Sequence, residues 1–307
     1  MAVVRLNLVL YLGAYPSPAE VLACFRAFRR HFPVAGTMRW ELPNRFGSYP
    51  TTADGPDDES WADRMRVETG MFGIRLSVGD YTLNVCGIPA SDDGAERASF
   101  CEVIVPADAD HEQLARLADD LVAVLPVRSG HGGFSAYASK RGPEPYNQVF
   151  AWCQRFFAID VGSVDGFLEA TSRRVLGAGW LTVLGPTFTQ YLTEHTAPQF
   201  EASGIDIRRI PHGLIIRAGD APTLGDIQRG EFPTLMADVD QFLQPLKANS
   251  WHRTSMMSIG GGHWWSVQTH DLPGAFTEHR ATAAWLARFA DPAAFLAARA
   301  LPADPPT

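Results

Sequence analysis

The sequence predicts an α+β fold in which mixed β-sheets are flanked by helices. Segments of strand length rich in Val, Ile and Leu alternate with longer segments whose apolar residues recur at helical spacing. The order strand–helix–strand occurs twice, near residues 3–42 and 99–139. This repetition predicts two related α/β halves, and its period is far too long for a solenoid.

Size and composition indicate a soluble globular protein. Of the 307 residues, 46% are hydrophobic and 20% are charged, which is ordinary for a folded domain. We expect a single domain over 1–307 with a disordered tail at 302–307, and a division into lobes at 1–140 and 141–307 stays open. The opening stretch MAVVRLNLVLYLGAYP is interpreted as a strand rather than a signal peptide, so we expect a cytoplasmic protein without a membrane span.

The charge and the cysteines narrow the class of protein further. A formal net charge of −8 argues against a nucleic-acid binder, because such a protein needs Lys and Arg to displace phosphate counterions, and it suits a basic protein partner. Cys24, Cys86, Cys101 and Cys153 sit among apolar neighbours, as buried thiols do in a reducing compartment. Two disulfides also remain compatible with the sequence.

The first elements have clear local signals. Residues 3–12 are rich in Val and Leu and predict a strand. Ser17 predicts a helix N-cap, since Pro18 suits the first turn and Glu20 can reach back to the cap. A short strand over 37–42 follows the helix.

The next stretch reads as a loop followed by three strands. Residues 44–61 combine prolines with acidic residues and predict a surface loop. Residues 72–88 alternate around Gly79-Asp80 and predict a hairpin, and 99–106 form a further predicted strand.

The middle of the chain predicts helices and one bend. Asp110 is a candidate N-cap for a helix with a regular leucine face. Residues 130–139 predict a glycine-rich bend leading into a strand, 146–159 an aromatic-rich helix, and 163–175 a shorter helix.

The last part centres on residues 177–226. This stretch contains an apolar segment with Trp180, a short helix, two strands and a Gly-Asp loop. An amphipathic helix is predicted over 232–246, and shorter helical pieces over 282–289 and 292–300.

A metal centre is not expected. His252, His263, His270 and His279 follow one another at spacings of 11, 7 and 9, with glycines between them. Metal ligands usually converge, as the two histidines of H-E-x-x-H do on one helix face. A metal-dependent hydrolase that uses these histidines is nevertheless the alternative function.

Other catalytic signatures are missing from the sequence, so we expect neither an enzyme nor a cofactor. The glycine run at 260–262 lacks the Lys-Ser/Thr of a P-loop, and no Gly-x-Ser-x-Gly elbow occurs. Asp206, Asp220 and Asp226 flank strands without the lysine that usually completes a metal-dependent nuclease site. We interpret Asp220 and Asp226 as turn residues.

Two acidic segments favour a docking surface for a basic partner. Residues 51–70 carry six acidic residues against two arginines, and residues 91–120 carry nine against two. Complementary charge raises association rates and helps to exclude wrong partners. A solvated surface is the alternative.

A longer pattern runs through the second half of the chain. Its parts are Trp180-Leu181-Thr182-Val183-Leu184-Gly185, His212-Gly213-Leu214-Ile215-Ile216-Arg217-Ala218-Gly219-Asp220-Ala221-Pro222, Leu224-Gly225-Asp226, and Leu243-Gln244-Pro245-Leu246-Lys247. Together with SFCEVIVP and FSAYAS upstream, they resemble the type VI secretion immunity family over roughly residues 1–250. One departure is Glu194-His195-Thr196, where such proteins often carry a glycine pair.

The resemblance implies an immunity protein that binds and blocks a cognate type VI effector, a nuclease-type toxin encoded nearby. The family motif residues are then structural: Trp180, Leu181, Thr182, Gly185, Gly213, Gly219, Pro222, Gly225 and Asp226. Effector contacts are expected from loops, which carry variable side chains on a rigid scaffold. The candidates are Asp54, Asp57, Asp58, Glu59, Asp63, Asp92, Asp93 and Glu96, with Trp264 and Trp265 as an aromatic anchor.

Overall fold

A computed structural model describes the greater part of the chain. The described residues are 2–33, 38–43, 50–55, 72–89, 98–138, 143–161, 171–190, 200, 203–247 and 284–297. The strands are β1 (Ala2–Leu12), β2 (Met38–Pro43), β3 (Pro50–Gly55), β4 (Phe72–Val78), β5 (Tyr81–Gly87), β6 (Ser99–Pro106), β7 (Val127–Ala138), β8 (Asp160–Val161), β9 (Leu181–Leu184), β10 (Ile205–Ile210) and β11 (Gly213–Ala218). The helices are α1 (Pro18–His31), α2 (His111–Val124), α3 (Pro143–Arg155), α4 (Pro186–Thr189), α5 (Thr234–Leu243) and α6 (Pro292–Ala297), with 3-10 turns at Ile227–Arg229 and Gln244–Leu246.

Within these residues, eleven strands form one sheet. Its order is β10-β11-β9-β7-β1-β6-β5-β4-β2-β3, and β8 pairs with β7. The β7–β8 pair is parallel, whereas the other named pairs are antiparallel. A largely antiparallel sheet with separate helices confirms the predicted α+β class, and the sheet takes strands from both sides of residue 140.

Side chains of β1 divide between two apolar layers, as the alternation of a strand requires. Leu6, Leu8 and Leu10 point to the layer formed with α1 and α2. Val9 and Tyr11 belong to the opposite layer, which α3, α5 and the C-terminal segment complete. Helices α1 and α2 follow the neighbouring strands β1 and β6 and cover the same face, in agreement with the predicted repetition.

The helix starts confirm two predicted caps. The Glu20 backbone N–H donates to Ser17 Oγ at 3.3 Å, and the Ser17 N–H donates to Glu20 Oε2 at 2.6 Å, which completes a capping box. Asp110 Oδ1 accepts from the backbone N–H groups of Glu112 and Gln113 at 2.9 and 3.3 Å. The predicted hairpin is also present, with Val78 opposite Tyr81.

Two loop predictions were wrong. The predicted loop at 44–61 contains β3, which pairs with β2 from Met38↔Gly55 to Pro43↔Pro50; a proline at the first position of an edge strand is compatible with this pairing. The predicted bend at 130–139 is part of the long strand β7. Its glycines mark close packing, because a Cβ on Gly130 would lie 2.7 Å from Leu10 Cδ2.

Among the helices that the described ranges contain, none has the length and apolar character that crossing a bilayer requires.

Candidate functional site

The segment that leads into β9 is packed at backbone contact distance against strand β7. Leu181 and Thr182 are buried between β7 and β11. A Cβ on Gly179 would lie 2.7 Å from the Gly132 carbonyl oxygen, and one on Gly185 would overlap the backbone of β7. These glycines are therefore positions of close backbone approach.

The Gly-Asp loop, residues 219–226, follows β11 and is shaped by turns. Gly219 and Gly225 have φ values of 87° and 64°, in the left-handed region that favours glycine. Trp180 Nε1 donates to the Gly219 carbonyl oxygen at 3.1 Å, which fastens the loop to the core. Gly213 starts β11 beside β9, where a Cβ would lie 2.5 Å from a backbone oxygen, and Pro222 is half-buried in the loop.

Asp226 closes this loop and joins it to α3. Arg155 Nε and Nη2 donate to the two Asp226 carboxylate oxygens at 2.9 and 2.6 Å, a bidentate pair. The Gln228 backbone N–H also donates to Asp226 Oδ1 at 3.1 Å, so Asp226 caps the 3-10 turn as a turn residue would. Hydrogen bonds from Arg155 are the main cause of a lowered Asp226 pKa.

This pair makes the effect of Arg155→Met depend on pH. Because the folded-state pKa of Asp226 lies below the unfolded value of about 3.9, the pair's contribution is complete above pH ~4 and is lost as the pH falls through the folded-state value. We expect the variant to lose about 1–3 kcal/mol at pH 7, because a buried carboxylate keeps fewer donors. The difference from wild type should shrink towards pH 2.5 in urea unfolding; an equal difference at both pH values would contradict the assignment.

A buried ion pair joins α5 to Lys247, the residue that follows the 3-10 turn Gln244–Leu246. Lys247 Nζ donates to both carboxylate oxygens of Asp240 at 2.9 and 2.8 Å, and the side chains are 7% and 1% exposed. The Ala178 N–H and Gln244 Nε2 also donate to this carboxylate at 3.2 and 2.8 Å. Burial lowers the pKa of Lys247, and the adjacent carboxylate opposes that shift.

The same cluster fixes the C-terminal segment. Lys247 Nζ donates to the Leu286 carbonyl oxygen at 3.0 Å. Arg288 donates to the carbonyl oxygens of Phe157 and Trp285 at 2.8 and 2.9 Å, and its guanidinium lies 3.7 Å from the Trp285 ring centroid. Burial lowers the pKa of Arg288 to about 10, and nearby carboxylates oppose the shift, so the guanidinium stays charged at neutral pH.

A contact between His131 and Asp160 lines a small cavity beside this cluster. His131 Nε2 and Asp160 Oδ2 are 2.6 Å apart. Burial raises the pKa of Asp160, but the His131 contact, the hydrogen bond from the Val161 backbone N–H and the nearby Arg288 together outweigh it, so the pKa is lowered. The cavity between these groups, Asp240 and Arg288 has a volume of about 30 Å³. Such a space suits a water molecule, whereas sites for small organic ligands measure about 300–1,000 Å³.

The sequence contained a signal for this cluster that our prediction did not use. Asp240 falls on the apolar face of its helix, four residues after Met236 and three before Leu243, both buried. A charged residue on such a face is typical of a buried ion pair. The partners Lys247 and Arg288 cannot be inferred in the same way, because the contacts depend on the tertiary fold.

The acidic side chains of α2 are largely compensated inside the chain. Glu112 accepts from Arg217 Nη1 at 2.8 and 3.0 Å, and Asp119 accepts from Arg208 Nη1 at 2.6 Å. Asp120 lies 2.7 Å from His31 Nε2. Part of the acidic excess of residues 91–120 therefore stabilises the fold and is not free for a partner.

The structure leaves the predicted effector contacts open. Asp54 lies in β3, opposite Arg39 in the β2–β3 register. The other predicted contacts fall outside the described residues: Asp57, Asp58, Glu59, Asp63, Asp92, Asp93, Glu96, Trp264 and Trp265. The four C-terminal histidines also fall outside them. Within the described residues, no three His, Cys, Asp or Glu side chains are arranged to hold a metal ion.

The polar cluster beside the sheet is closely packed. In the described ranges Asp240 contacts Lys247 and Asp160 contacts His131 around a water-sized space.

The comparisons with known proteins identify the family. Residues 20–289 match the family model TsiV, described as Type VI immunity for VRR-NUC, and the chain belongs to this family. The Pseudomonas aeruginosa T6SS protein PA0821 has a similar fold, with a TM-score of 0.71 and 18% sequence identity over 94% of this chain and 82% of the other. No curated protein matches the sequence significantly. The resemblance seen in the sequence is thereby confirmed, and the metal-dependent hydrolase gains no support.

Proposed function

We propose that this protein neutralises a cognate type VI effector with a VRR-NUC nuclease domain by stoichiometric binding, without catalysis of its own. The observation that carries the proposal is the TsiV family match over residues 20–289. The formal net charge of −8 supports it, because a nuclease presents a positive cleft to its nucleic-acid substrate. The cytoplasm is the proposed site of action, since the substrate of such a toxin lies there.

The direct test is association and protection. The purified protein and the nuclease encoded beside it should form a one-to-one complex in titration calorimetry, and co-expression should restore growth of cells that make the toxin. If the two proteins neither associate nor protect, the proposal is wrong. Metal analysis of the purified protein tests the alternative function, because a metal-dependent hydrolase requires stoichiometric metal.

We propose that the acidic segment over residues 54–63, which begins at the end of β3 and is predicted to continue as a loop, makes the main contact with the effector. Asp92, Asp93 and Glu96 add further acidic contacts, and Trp264 and Trp265 form an aromatic anchor. Two arguments support this choice. Loops supply the variable contacts of a binding protein. The described acids of α2 are already paired internally, so they leave the loop acids as the stronger candidates.

Reversal of the loop charge should weaken binding strongly. For Asp57→Lys, Asp58→Lys and Glu59→Lys combined, we expect at least about a 100-fold higher Kd, because like charges would then meet the positive cleft. The matched control reverses three exposed acids elsewhere, Asp220, Glu231 and Asp238, and should change Kd by less than about threefold. If the control variant weakens binding more than the loop variant does, the interface lies on the surface of α5 and the Gly-Asp loop instead.

A further inference from the structure

Strand β10 is the end of the sheet in the described part of the chain. It pairs with β11 from Ile205↔Ala218 to Ile210↔Gly213. Its other side has no partner among the described strands. An edge of this kind presents a row of N–H and C=O groups that can pair with another chain.

The turn after β10 defines which backbone groups face the open side. A two-residue turn joins β10 to β11, and the residues that flank such a turn, Ile210 and Gly213, form a hydrogen-bonded pair. Hydrogen-bonded pairs recur every second residue in an antiparallel ladder. The N–H and C=O groups of Ile205, Ile207 and Arg209 therefore point to the open edge.

The side chains next to Ile207 carry opposite charges on the same face. Asp206 is exposed, and Arg208 is 39% exposed although its Nη1 contacts Asp119 Oδ2 at 2.6 Å. Burial raises the pKa of Asp119, Arg208 opposes that shift, and Asp120 and to a smaller extent Asp206 add to it. Asp206 thus adds negative charge beside the Asp119–Arg208 pair, where a cation from a partner would be favourable.

We propose that β10 pairs with the β10 strand of a second copy of this chain, antiparallel and centred on Ile207. In this register Asp206 lies opposite the partner's Arg208, and Arg208 lies opposite the partner's Asp206. Ile207 lies opposite the partner's Ile207. All six outward-facing residues, Ile205, Ile207 and Arg209 of each copy, then exchange hydrogen bonds.

The neighbouring registers are electrostatically worse. Centring the pair on Arg208 places two arginines opposite each other, and centring it on Asp206 places two carboxylates opposite each other. Like charges directly opposite on two strands destabilise the pair. The charge pattern therefore selects one register and favours a second copy over an unrelated strand. This dimer goes beyond the proposed effector binding and does not depend on it.

Cysteine cross-linking tests the register. The Cα atoms of a hydrogen-bonded antiparallel pair are about 5.5 Å apart, within the range that a disulfide bridges. We expect Ile207→Cys to form a covalent dimer on mild oxidation, several-fold faster than Arg209→Cys. The latter is the matched control, because it is more exposed but lies about 14 Å along the strand from its copy. Oxidation of the wild type measures how much covalent dimer its native thiols form, and three of them, Cys24, Cys101 and Cys153, are buried.

Light scattering coupled to size exclusion provides a second measurement. The wild type should run at twice the chain mass of 33.6 kDa at high concentration. Asp206→Arg should raise the dimer Kd at least about tenfold, because two attractive pairs become repulsive. A monomeric wild type, or cross-linking no faster for Ile207→Cys than for Arg209→Cys, overturns the proposal. If the wild type is monomeric and Asp206→Arg weakens effector binding, the β10 edge contacts the effector instead.

Discussion

Lys247→Met is expected to lower the free energy of unfolding by about 3–5 kcal/mol, because it leaves a buried carboxylate without its cation. Asp240 is 1% exposed, and the donors that remain are the Ala178 N–H and Gln244 Nε2. The variant also loses the hydrogen bond from Lys247 Nζ to the Leu286 carbonyl oxygen. Urea unfolding at pH 7 measures the effect, which is a large share of the 5–15 kcal/mol typical of a domain.

Two controls distinguish a buried ion pair from a general effect of lost charge. Replacing both partners, Lys247→Met with Asp240→Leu, should recover much of the loss, since apolar groups of similar volume often replace a buried pair at little cost. Arg116→Met removes an exposed ion pair with Asp110, 3.8 Å away, and should change stability by about 0.5 kcal/mol or less. Equal losses for Lys247→Met and Arg116→Met would mean that the cluster does not stabilise the fold.

Local signals in the sequence were sufficient for elements whose causes are local. The Ser17 cap is one example, because the residues that form it lie within four positions of one another. The hairpin around Gly79 is another, since its register follows from a short turn between alternating segments. In such elements the interacting groups are neighbours in the sequence, so composition and spacing identify them.

The arrangement of the strands could not be derived in this way. β1 comes first in the chain but lies between β7 and β6, so its neighbours are about a hundred residues away in sequence. The strand β3 was missed because its pairing with β2 outweighs the loop character of Pro50 and Asp54. Glycines 130 and 132 suggested a bend, whereas contact with β1 requires small residues inside a strand.

The candidate site shows the same limit. Asp240 stands out as a charge on an apolar helix face, but its partner Lys247 and the neighbouring Arg288 are recognised as a cluster only in three dimensions. The family pattern in residues 177–226 was recognised from sequence, and the structure places its strands β9, β11 and β10 at one end of the sheet. Effector contacts cannot be derived from it, because they depend on a second protein's surface.

Trp180→Ala is expected to destabilise the fold by about 3–5 kcal/mol while leaving the intrinsic affinity for the effector unchanged. The side chain is 2% exposed, and its ring lies edge-on to His111 with centroids 5.6 Å apart. Its Nε1 donates to the Gly219 carbonyl oxygen at 3.1 Å, and its own carbonyl accepts from the Ala218 N–H at 2.9 Å. The truncation therefore removes a large buried surface and releases the Gly-Asp loop.

Trp180→Phe is the matched variant, since it retains most of the buried area and loses the hydrogen bond to Gly219, at a cost of about 1–3 kcal/mol. Stability should rank wild type, Trp180→Phe and Trp180→Ala in that order in urea unfolding. Effector affinity, measured at a temperature where all three proteins are folded, should vary by less than about threefold, because a side chain inside the core cannot touch a partner. A folded Trp180→Ala protein that no longer binds the effector would show that this segment shapes the interface as well as the core.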